Sequence, residues 1–289
     1  MNTFLQQIVF GCLVGGLYGL AAAGLSLVFG VLKILNVAHG ELIMLGGYAT
    51  FWLFTLAGLD PFLSLLITWP LLFAVGAALY GGLFRFVATA GEETRIKNSV
   101  LIGFGLTLAL QNVAILLWTA DERGVTPDYS GAVLRLGGLA FPLTRLGTLV
   151  VAGLLILGLH RFLTRTYAGK AIRATAADWE AGALVGIDLN RTYRLAFALG
   201  SAAAGVAGTL VSVGYDISPN IGLGWTLKAL IVVVLAGLGS MPGTFAGGLI
   251  LGVAESASTI VIGGPYREVV GLILFLAVLL WRPQGLFAR

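Results

Sequence analysis

The chain has 289 residues, of which 58% are hydrophobic and only 10% are charged, and its formal net charge is +4. Soluble domains carry about 25% charged residues, so this composition excludes an ordinary water-soluble fold. Lipid-facing segments must satisfy their own backbone hydrogen bonds, and the uncharged runs are too long for barrel strands, so we expect an all-α integral membrane protein. The positive charge does not indicate a nucleic-acid partner, because the basic residues cluster at the ends of the apolar runs. The single cysteine, Cys12, excludes a disulfide framework.

Nine apolar runs follow one another along the chain and predict a polytopic helical bundle of about 8–9 transmembrane passes with broken helices. A transmembrane helix needs about 20 mostly apolar residues, which suits most of these runs. We interpret residues 1–289 as a single membrane domain. The predicted passes cover about 4–32, 42–58, 62–84, 99–119, 146–163, 195–214, 222–238, 243–262 and 266–281.

Two of the runs carry small residues at every fourth position. These residues are Gly11, Gly15 and Gly19 in the first run, and Gly200, Ala204 and Gly208 in the sixth. Such stripes let another helix approach closely, so we expect both runs to lie in tightly packed helix pairs.

Two interruptions break the apolar sequence and predict the broken helices. The first, Asn36–Glu41, contains His39, and the second, Gly237–Gly243, contains a proline that cannot sit in a straight helix interior. Non-helical backbone at membrane depth is tolerated only where it is buried in protein or meets a cavity, so we expect both segments near the protein interior, with the first lining a translocation path. For the first segment a purely structural role stays open, because Asn36 and Glu41 could instead cap the following helix.

Two charged residues, Lys228 and Glu255, fall well inside predicted passes and not at their ends. A charge at the bilayer centre costs at least ~2.5–3.5 kcal/mol on insertion scales, so such residues usually face the protein interior or pair with one another. We therefore add both to the candidate translocation path, beside Asn36, His39 and Glu41. For Lys228 the alternative is snorkelling, in which the long side chain reaches the headgroups.

The longest polar interval, residues 161–194, fixes the predicted orientation. Lys and Arg near membrane segments are retained on the cytoplasmic side, and this interval holds six of them. Alternating the passes from there puts twelve basic residues inside and four outside, which predicts a periplasmic N-terminus and a cytoplasmic C-terminus. The inside set is Lys33, Arg85, Arg95, Lys97, Arg161, Arg165, Lys170, Arg173, Arg191, Arg194, Arg282 and Arg289, and the outside set is Arg123, Arg135, Arg145 and Arg267.

Several stretches carry a family resemblance that covers nearly the whole chain. They are GLSLVFGVLKILNVAHGELIMLGGY at 24–48, LTLALQN at 106–112, AGKAIRATAAD at 168–178, LAGLGSMPGTFAGGLILGVAE at 235–255 and RPQGLF at 282–287. Together they resemble the LivH-type permease of branched-chain amino acid ABC transporters. The resemblance implies a bacterial inner-membrane permease subunit of an ATP-driven importer for branched-chain or related amino acids. It also implies four kinds of partner: the lipid bilayer, a second permease of the LivM type, two ATP-binding subunits and a periplasmic substrate-binding protein.

The residues agree with a subunit that performs no chemistry of its own. No phosphate-binding loop of the GxxxxGK[ST] type occurs, no His/Cys cluster has metal-ligand spacing, and no nucleophile has a convincing base. We therefore predict no catalytic residues, no cofactor and no metal, with ATP hydrolysis performed by separate subunits.

On this resemblance, the interval at about 161–194 is the cytoplasmic coupling loop. We predict a short helix over 173–187, in which EAGALVG at 180–186 is similar to the EAAxxxG docking motif of ABC permeases. Small residues would let a groove of the ATPase close on the backbone, while apolar and acidic side chains would supply contacts. The alternative is a plain interfacial loop helix. The predicted docking residues are Ala174, Ala177, Asp178, Glu180, Ala181, Gly182, Leu184, Gly186 and Ile187.

Two other functions stay open. A self-sufficient secondary carrier or channel for a small polar solute would be expected to hold its own coupling-ion site, often several buried acids on broken helices. Here Glu255 and Glu41 are the only acids at predicted membrane depth, which disfavours a carrier. The same type of importer also handles urea, short amides and aromatic acids, and the sequence does not choose among these substrates.

Overall fold

The computed structural model describes residues 2–88, 91–237 and 239–287, and these residues form a bundle of long helices. Two residues named above, Leu238 of the second interruption and Arg289 of the inside set, lie outside the described residues. The helices are α1 (Asn2–Leu32), α2 (His39–Ala57), α3 (Pro61–Leu79), α4 (Arg85–Ala88), α5 (Glu92–Trp118), α6 (Leu143–Arg165), α7 (Tyr167–Ala177), α8 (Trp179–Leu184), α9 (Leu189–Gly214), α10 (Ile221–Ala236), α11 (Met241–Ile262) and α12 (Arg267–Trp281). A π-helical turn, Tyr80–Phe84, joins α3 to α4, and the strands β1 (Val133–Leu136) and β2 (Leu139–Pro142) form an antiparallel hairpin.

The predicted all-α polytopic fold is confirmed. Eight helical segments among the described residues are long and apolar enough to cross a membrane, counting α3, the π-turn and α4 as one. The remaining predicted pass, at about 222–238, is α10, whose 16 residues span about 24 Å, less than the ~30 Å of a bilayer's hydrocarbon core. Because α10 is too short to span this core, neighbouring segments of the chain must bury its ends.

The helices run back and forth between two ends of the bundle. One is the hairpin end, which carries residues 119–142, and the other is the basic-loop end, which carries residues 166–188. The side chain of Gln6 bonds both backbone groups of Ala140, which places the start of α1 at the hairpin end. At the other end, the backbone N–H of Leu286 donates to the carbonyl of Leu235. The four basic residues predicted outside lie at the hairpin end, and the described residues of the inside set lie towards the other.

The glycine stripes pack as the sequence predicts. A Cβ added to Gly15 would lie 2.7 Å from the carbonyl oxygen of Gly248 on α11, and one added to Gly19 would lie 3.0 Å from the Cα of Phe245. On the sixth run, Gly208 meets the backbone of α2 at Ile43. Since only glycine permits such an approach, α1 and α9 form the centre of the bundle with α2 and α11 against them.

The loop at the hairpin end packs against the start of α3. Its hydroxyl-bearing Tyr129 donates to the carboxylate of Asp60, the N-cap of α3, at 2.6 Å. Burial, and then the bond to Asp60, raises the pKa of Tyr129 above its ordinary value. The phenol therefore stays protonated and holds the loop against α3.

Candidate functional site

The first predicted interruption is a break in the helices that folds back into the bundle. α1 ends at Leu32, Lys33 has a left-handed φ of 54°, and α2 begins at His39. The Nε2 of His39 donates to the carbonyl oxygen of Ala21 at 2.8 Å, an assignment that follows because a carbonyl can only accept. Ala21 lies eleven residues, or about 16 Å of helix, before the end of α1. α2 therefore starts deep inside the bundle.

A side chain from α10 satisfies the backbone of this break. The hydroxyl of Thr226 accepts from the N–H of Gly40 at 2.8 Å and donates to the carbonyl of Val37 at 3.0 Å. Capping by Asn36 or Glu41 was the structural alternative, and among the described residues neither Asn36 Oδ1 nor Glu41 Oε2 makes a capping hydrogen bond. Glu41 does lie in the first turn of α2, where a negative charge suits the helix dipole. Thr226 of α10, and not a residue next to the break in the chain, thus satisfies the backbone at the start of α2.

Three polar side chains of the first break are buried with unpaired atoms. Asn36, His39 and Glu41 are at most 2% exposed. Among the described residues, no hydrogen-bond partner reaches Asn36 Oδ1, His39 Nδ1 or Glu41 Oε2. Leaving a buried polar group without a hydrogen bond costs about 1–3 kcal/mol, so the cluster destabilises the fold and stability does not explain its presence. Its place in a translocation path remains a prediction.

Lys228 and Glu255 form a second polar cluster. The Nζ of Lys228 lies 3.1 Å from Glu255 Oε1 and 3.3 Å from Glu268 Oε1, and it sits 5.0 Å from the ring centroid of Tyr18. The hydroxyl of Tyr18 donates to Glu255 Oε2 at 2.9 Å. The Lys228 side chain is only 14% exposed and paired, so the snorkelling alternative is wrong. A pair this buried is costly to break, because removing one partner leaves an uncompensated charge.

The two clusters lie on different faces of α10. Gly222 and Thr226, four residues apart, share the face that meets α2, and the carboxylate of Glu41 fills the space where Gly222 has no side chain. Lys228 follows Thr226 by two residues, about 200° around the helix, and points to α11 and α12. The structure therefore divides the five candidate path residues into two groups.

The second predicted interruption, Gly237–Gly243, is present but shorter than predicted, because residues 241–243 already belong to α11. α10 ends at Ala236, Gly237 has a φ of 86°, and Ser240 caps α11 by accepting from the N–H of Gly243. The chain's last described residues cover this break, because the N–H of Phe287 donates to the carbonyl of Ala236.

The predicted docking segment is two helices, and the single helix expected over 173–187 is wrong. Asp178 has an extended backbone with φ −155° and ends α7, and its carboxylate then accepts from the N–H of Ala181 to begin α8. Gly186, with φ +86°, closes α8, since its own N–H donates to Ala183 and the N–H of Ile187 donates to Gly182. A favourable cap at Asp178 thus divides the segment.

The predicted docking residues differ in their solvent exposure. Gly182 is buried beside Thr175, and Ile187 is half-buried against it, so these two contribute contacts within the segment. Larger exposed side chains in this segment were not predicted: Tyr167 is 87% exposed, Trp179 45% and Val185 78%. An apolar residue next to charged ones in a polar loop was the available signal. The predicted residues that are exposed are Ala174, Ala177, Asp178, Glu180, Ala181, Leu184 and Gly186.

Long apolar helices, two internal breaks and an exposed two-helix segment together define a polytopic helical permease. The chain belongs to a known family of this class: the family model described as "Branched-chain amino acid transport system / permease component" matches residues 7–279. It is thus a permease subunit and not an enzyme, and one component of a transport system.

Curated relatives match over almost their whole lengths. BraD of Pseudomonas aeruginosa strain PAO1, a high-affinity branched-chain amino acid transport system permease protein, is 34% identical, with 99% of this chain and 96% of BraD covered. LivH of Escherichia coli strain K12, which bears the same description, is 33% identical with the same coverage. A probable LivH of Methanocaldococcus jannaschii is 29% identical, with 97% of this chain and 92% of the relative covered.

Proposed function

We propose that this chain forms half of the translocation path of an ATP-driven importer for branched-chain or related amino acids. The observation that carries the proposal is the near full-length similarity to permeases whose names specify branched-chain amino acid transport. The proposed partners are a second permease of the LivM type, two ATP-binding subunits and a periplasmic substrate-binding protein. The proposed location is a bacterial inner membrane.

The polar interior around α10 supports a role in translocation. Asn36, His39 and Glu41 place unpaired polar atoms beside its first turns, while Lys228 and Glu255 pair on another face. Because α10 is short and both breaks adjoin it, a small movement of this helix would change both clusters together. We propose that α10 is the element that responds when the path opens.

The orientation in the membrane is a further part of the proposal. Since twelve basic residues belong to one side and four to the other, we place the basic-loop end in the cytoplasm and the hairpin end in the periplasm. In a Cys12→Ala background, an impermeant maleimide added to whole cells should label a cysteine at Ser130, which is exposed at the hairpin end. Lys170→Cys should stay unlabelled until the cells are opened. Labelling of position 170 alone would reverse the orientation.

The exposed surface of α7 and α8 supports docking of the ATP-binding subunit. It presents Leu184 at 89% exposure and Val185 at 78%, beside the carboxylates of Asp178 and Glu180. Large apolar side chains on a polar loop at the end of a membrane bundle are typical of a surface that another protein covers. We propose that a groove of the ATP-binding subunit receives this segment.

Transport by the reconstituted system tests the function. The permease and its co-purifying subunits would be placed in proteoliposomes with ATP supplied to the ATPase side. We expect ATP-dependent accumulation of radiolabelled leucine that unlabelled valine and isoleucine suppress. Unlabelled urea, acetamide and benzoate are added in parallel, each representing one of the other substrate classes of this transporter type. Leucine uptake by the permease alone, without ATP, would instead establish a self-sufficient carrier.

A further inference from the structure

A polar cleft of about 300 Å³ lies at the hairpin end between α1, α6, α11 and α12. Its walls combine the apolar ring of Phe10 with the hydroxyl of Ser256 and two guanidinium groups, those of Arg145 and Arg267. The cleft runs along α1 from Gln7 towards the middle of the helix, so it lies partly at membrane depth.

The two guanidinium groups lack a counter-ion in the part of the chain that the structure describes. Neither Arg145 nor Arg267 forms an ion pair there, and neither donates a hydrogen bond to another described residue. Arg145 instead lies 5.2 Å from the ring centroid of Phe10. Both side chains are half-buried. Two half-buried guanidinium groups without a counter-ion, both at the ends of membrane helices, would be stabilised by an anion in this cleft.

The acidic residues near the cleft cannot serve as that anion. Glu255 lines the cleft, but its carboxylate is engaged by Lys228 at 3.1 Å and by the hydroxyl of Tyr18 at 2.9 Å. Glu268 also pairs with Lys228, at 3.3 Å. These groups amount to three cations and two carboxylates, so the cleft has room for one further negative charge.

We propose that the cleft binds the phosphate of a phospholipid headgroup. Phosphate oxygens accept paired hydrogen bonds from guanidinium groups, and basic pockets between membrane helices bind anionic headgroups. A lipid is favoured over a soluble oxyanion because the mouth of the cleft is flanked by lipid-accessible apolar side chains. Ile262, three residues beyond the cleft-lining Thr259 and so on the same side of α11, is 40% exposed, and Phe10 and Val14 of the cleft wall are apolar and half-buried. Acyl chains would pack there while the phosphate enters between Arg145 and Arg267.

Native mass spectrometry of the full-length permease tests this. The detergent-purified protein is delipidated and titrated with dioleoyl phosphatidylglycerol, and in parallel with dioleoylglycerol, which has the same acyl chains but no phosphate. We expect retention of the phospholipid alone. Arg145→Gln and Arg267→Gln should each weaken its binding about tenfold, as for loss of a charged hydrogen bond. The matched control is Arg135→Gln, an exposed arginine at the same end, which should bind as the wild type does.

Two further arms separate the sources of the anion and guard against misfolding. Inorganic phosphate or leucine at millimolar concentration should not displace the phospholipid, and displacement by either would identify a soluble ligand and overturn the proposal. Equal retention of both lipids, or unchanged binding in both glutamine variants, would also overturn it. If the glutamine variants do not fold, Arg145→Lys and Arg267→Lys keep the charge but lose the paired donors, and unweakened binding in both would equally contradict it. Lipid binding is measured without transport, so the result is independent of the proposed function.

Discussion

Replacing Leu184 by Asp is expected to abolish co-purification of the ATP-binding subunit while the permease still folds and inserts. Leu184 is 89% exposed at the end of α8, so the substitution disturbs no contact inside the permease. Burying a leucine in an interface contributes about 1.5–3 kcal/mol, and an unpaired carboxylate there would cost more. Docking should therefore weaken by at least about tenfold, with loss of ATP-driven uptake.

The same substitution at the opposite end is the matched control. Leu136 at the tip of the β1–β2 hairpin is 59% exposed, and Leu136→Asp should leave ATPase co-purification unchanged. Ala177→Trp and Gly186→Val should resemble Leu184→Asp, the first by adding bulk to an exposed face. The second should act by straining a residue with φ +86° that closes α8. Normal docking in all three variants would place the ATPase contact elsewhere.

Replacing Gly15 by Val is expected to abolish folding of the bundle. The new Cβ would lie 2.7 Å from both the carbonyl oxygen of Gly248 and the Cα of Leu249, so backbone and not a flexible side chain would have to move. Overpacking typically costs 1–3 kcal/mol, and a clash with backbone at the seam of two central helices should reach or exceed the upper value, roughly 3 kcal/mol. The yield of monodisperse protein after detergent extraction should fall to near zero.

Gly105→Val supplies the control for this effect. Gly105 lies on the exposed face of α5, and no atom lies within 4 Å of an added Cβ. The two substitutions are chemically identical and both lie in long apolar helices, so any difference reports packing alone. Wild-type yield and thermal stability for Gly15→Val would show that α1 and α11 do not approach as closely as described.

The candidate site shows where sequence reasoning reached its limit. A polar segment with its own helical structure was expected between α6 and α9, because a basic loop between two apolar runs is visible in composition, and its role in docking stays a prediction. Its division at Asp178 and the burial of Gly182 were not predicted. The backbone at an Asp can continue one helix or end it and begin another with the Asp side chain as a cap. The packing of Gly182 against Thr175 and Ile187 selects the second alternative here.

The path candidates show the same limit at longer range. Polar residues in apolar runs marked Asn36, His39, Glu41, Lys228 and Glu255, and all of them prove to be largely buried. Their hydrogen-bond partners could not be predicted from the sequence, because Thr226 bonds Gly40 across 186 positions of the chain, and Tyr18 bonds Glu255 across 237. Glu268, which shares Lys228, stands at the start of α12 and gave no signal of its own.

The sequence by itself determined that this protein is a bundle of membrane helices, where those helices are interrupted, which glycines lie in a helix seam, and how the basic residues divide between its ends. Those features follow from composition and from periodicities of three to four residues, which act within a single helix. Only the tertiary structure decided that α2 begins deep in the bundle, that α10 satisfies the first break, and that Arg145 and Arg267 share a cleft. The physical reason is that such pairings depend on which helix faces are brought together across the fold, and a residue's own neighbours in the chain carry no record of its partners in space.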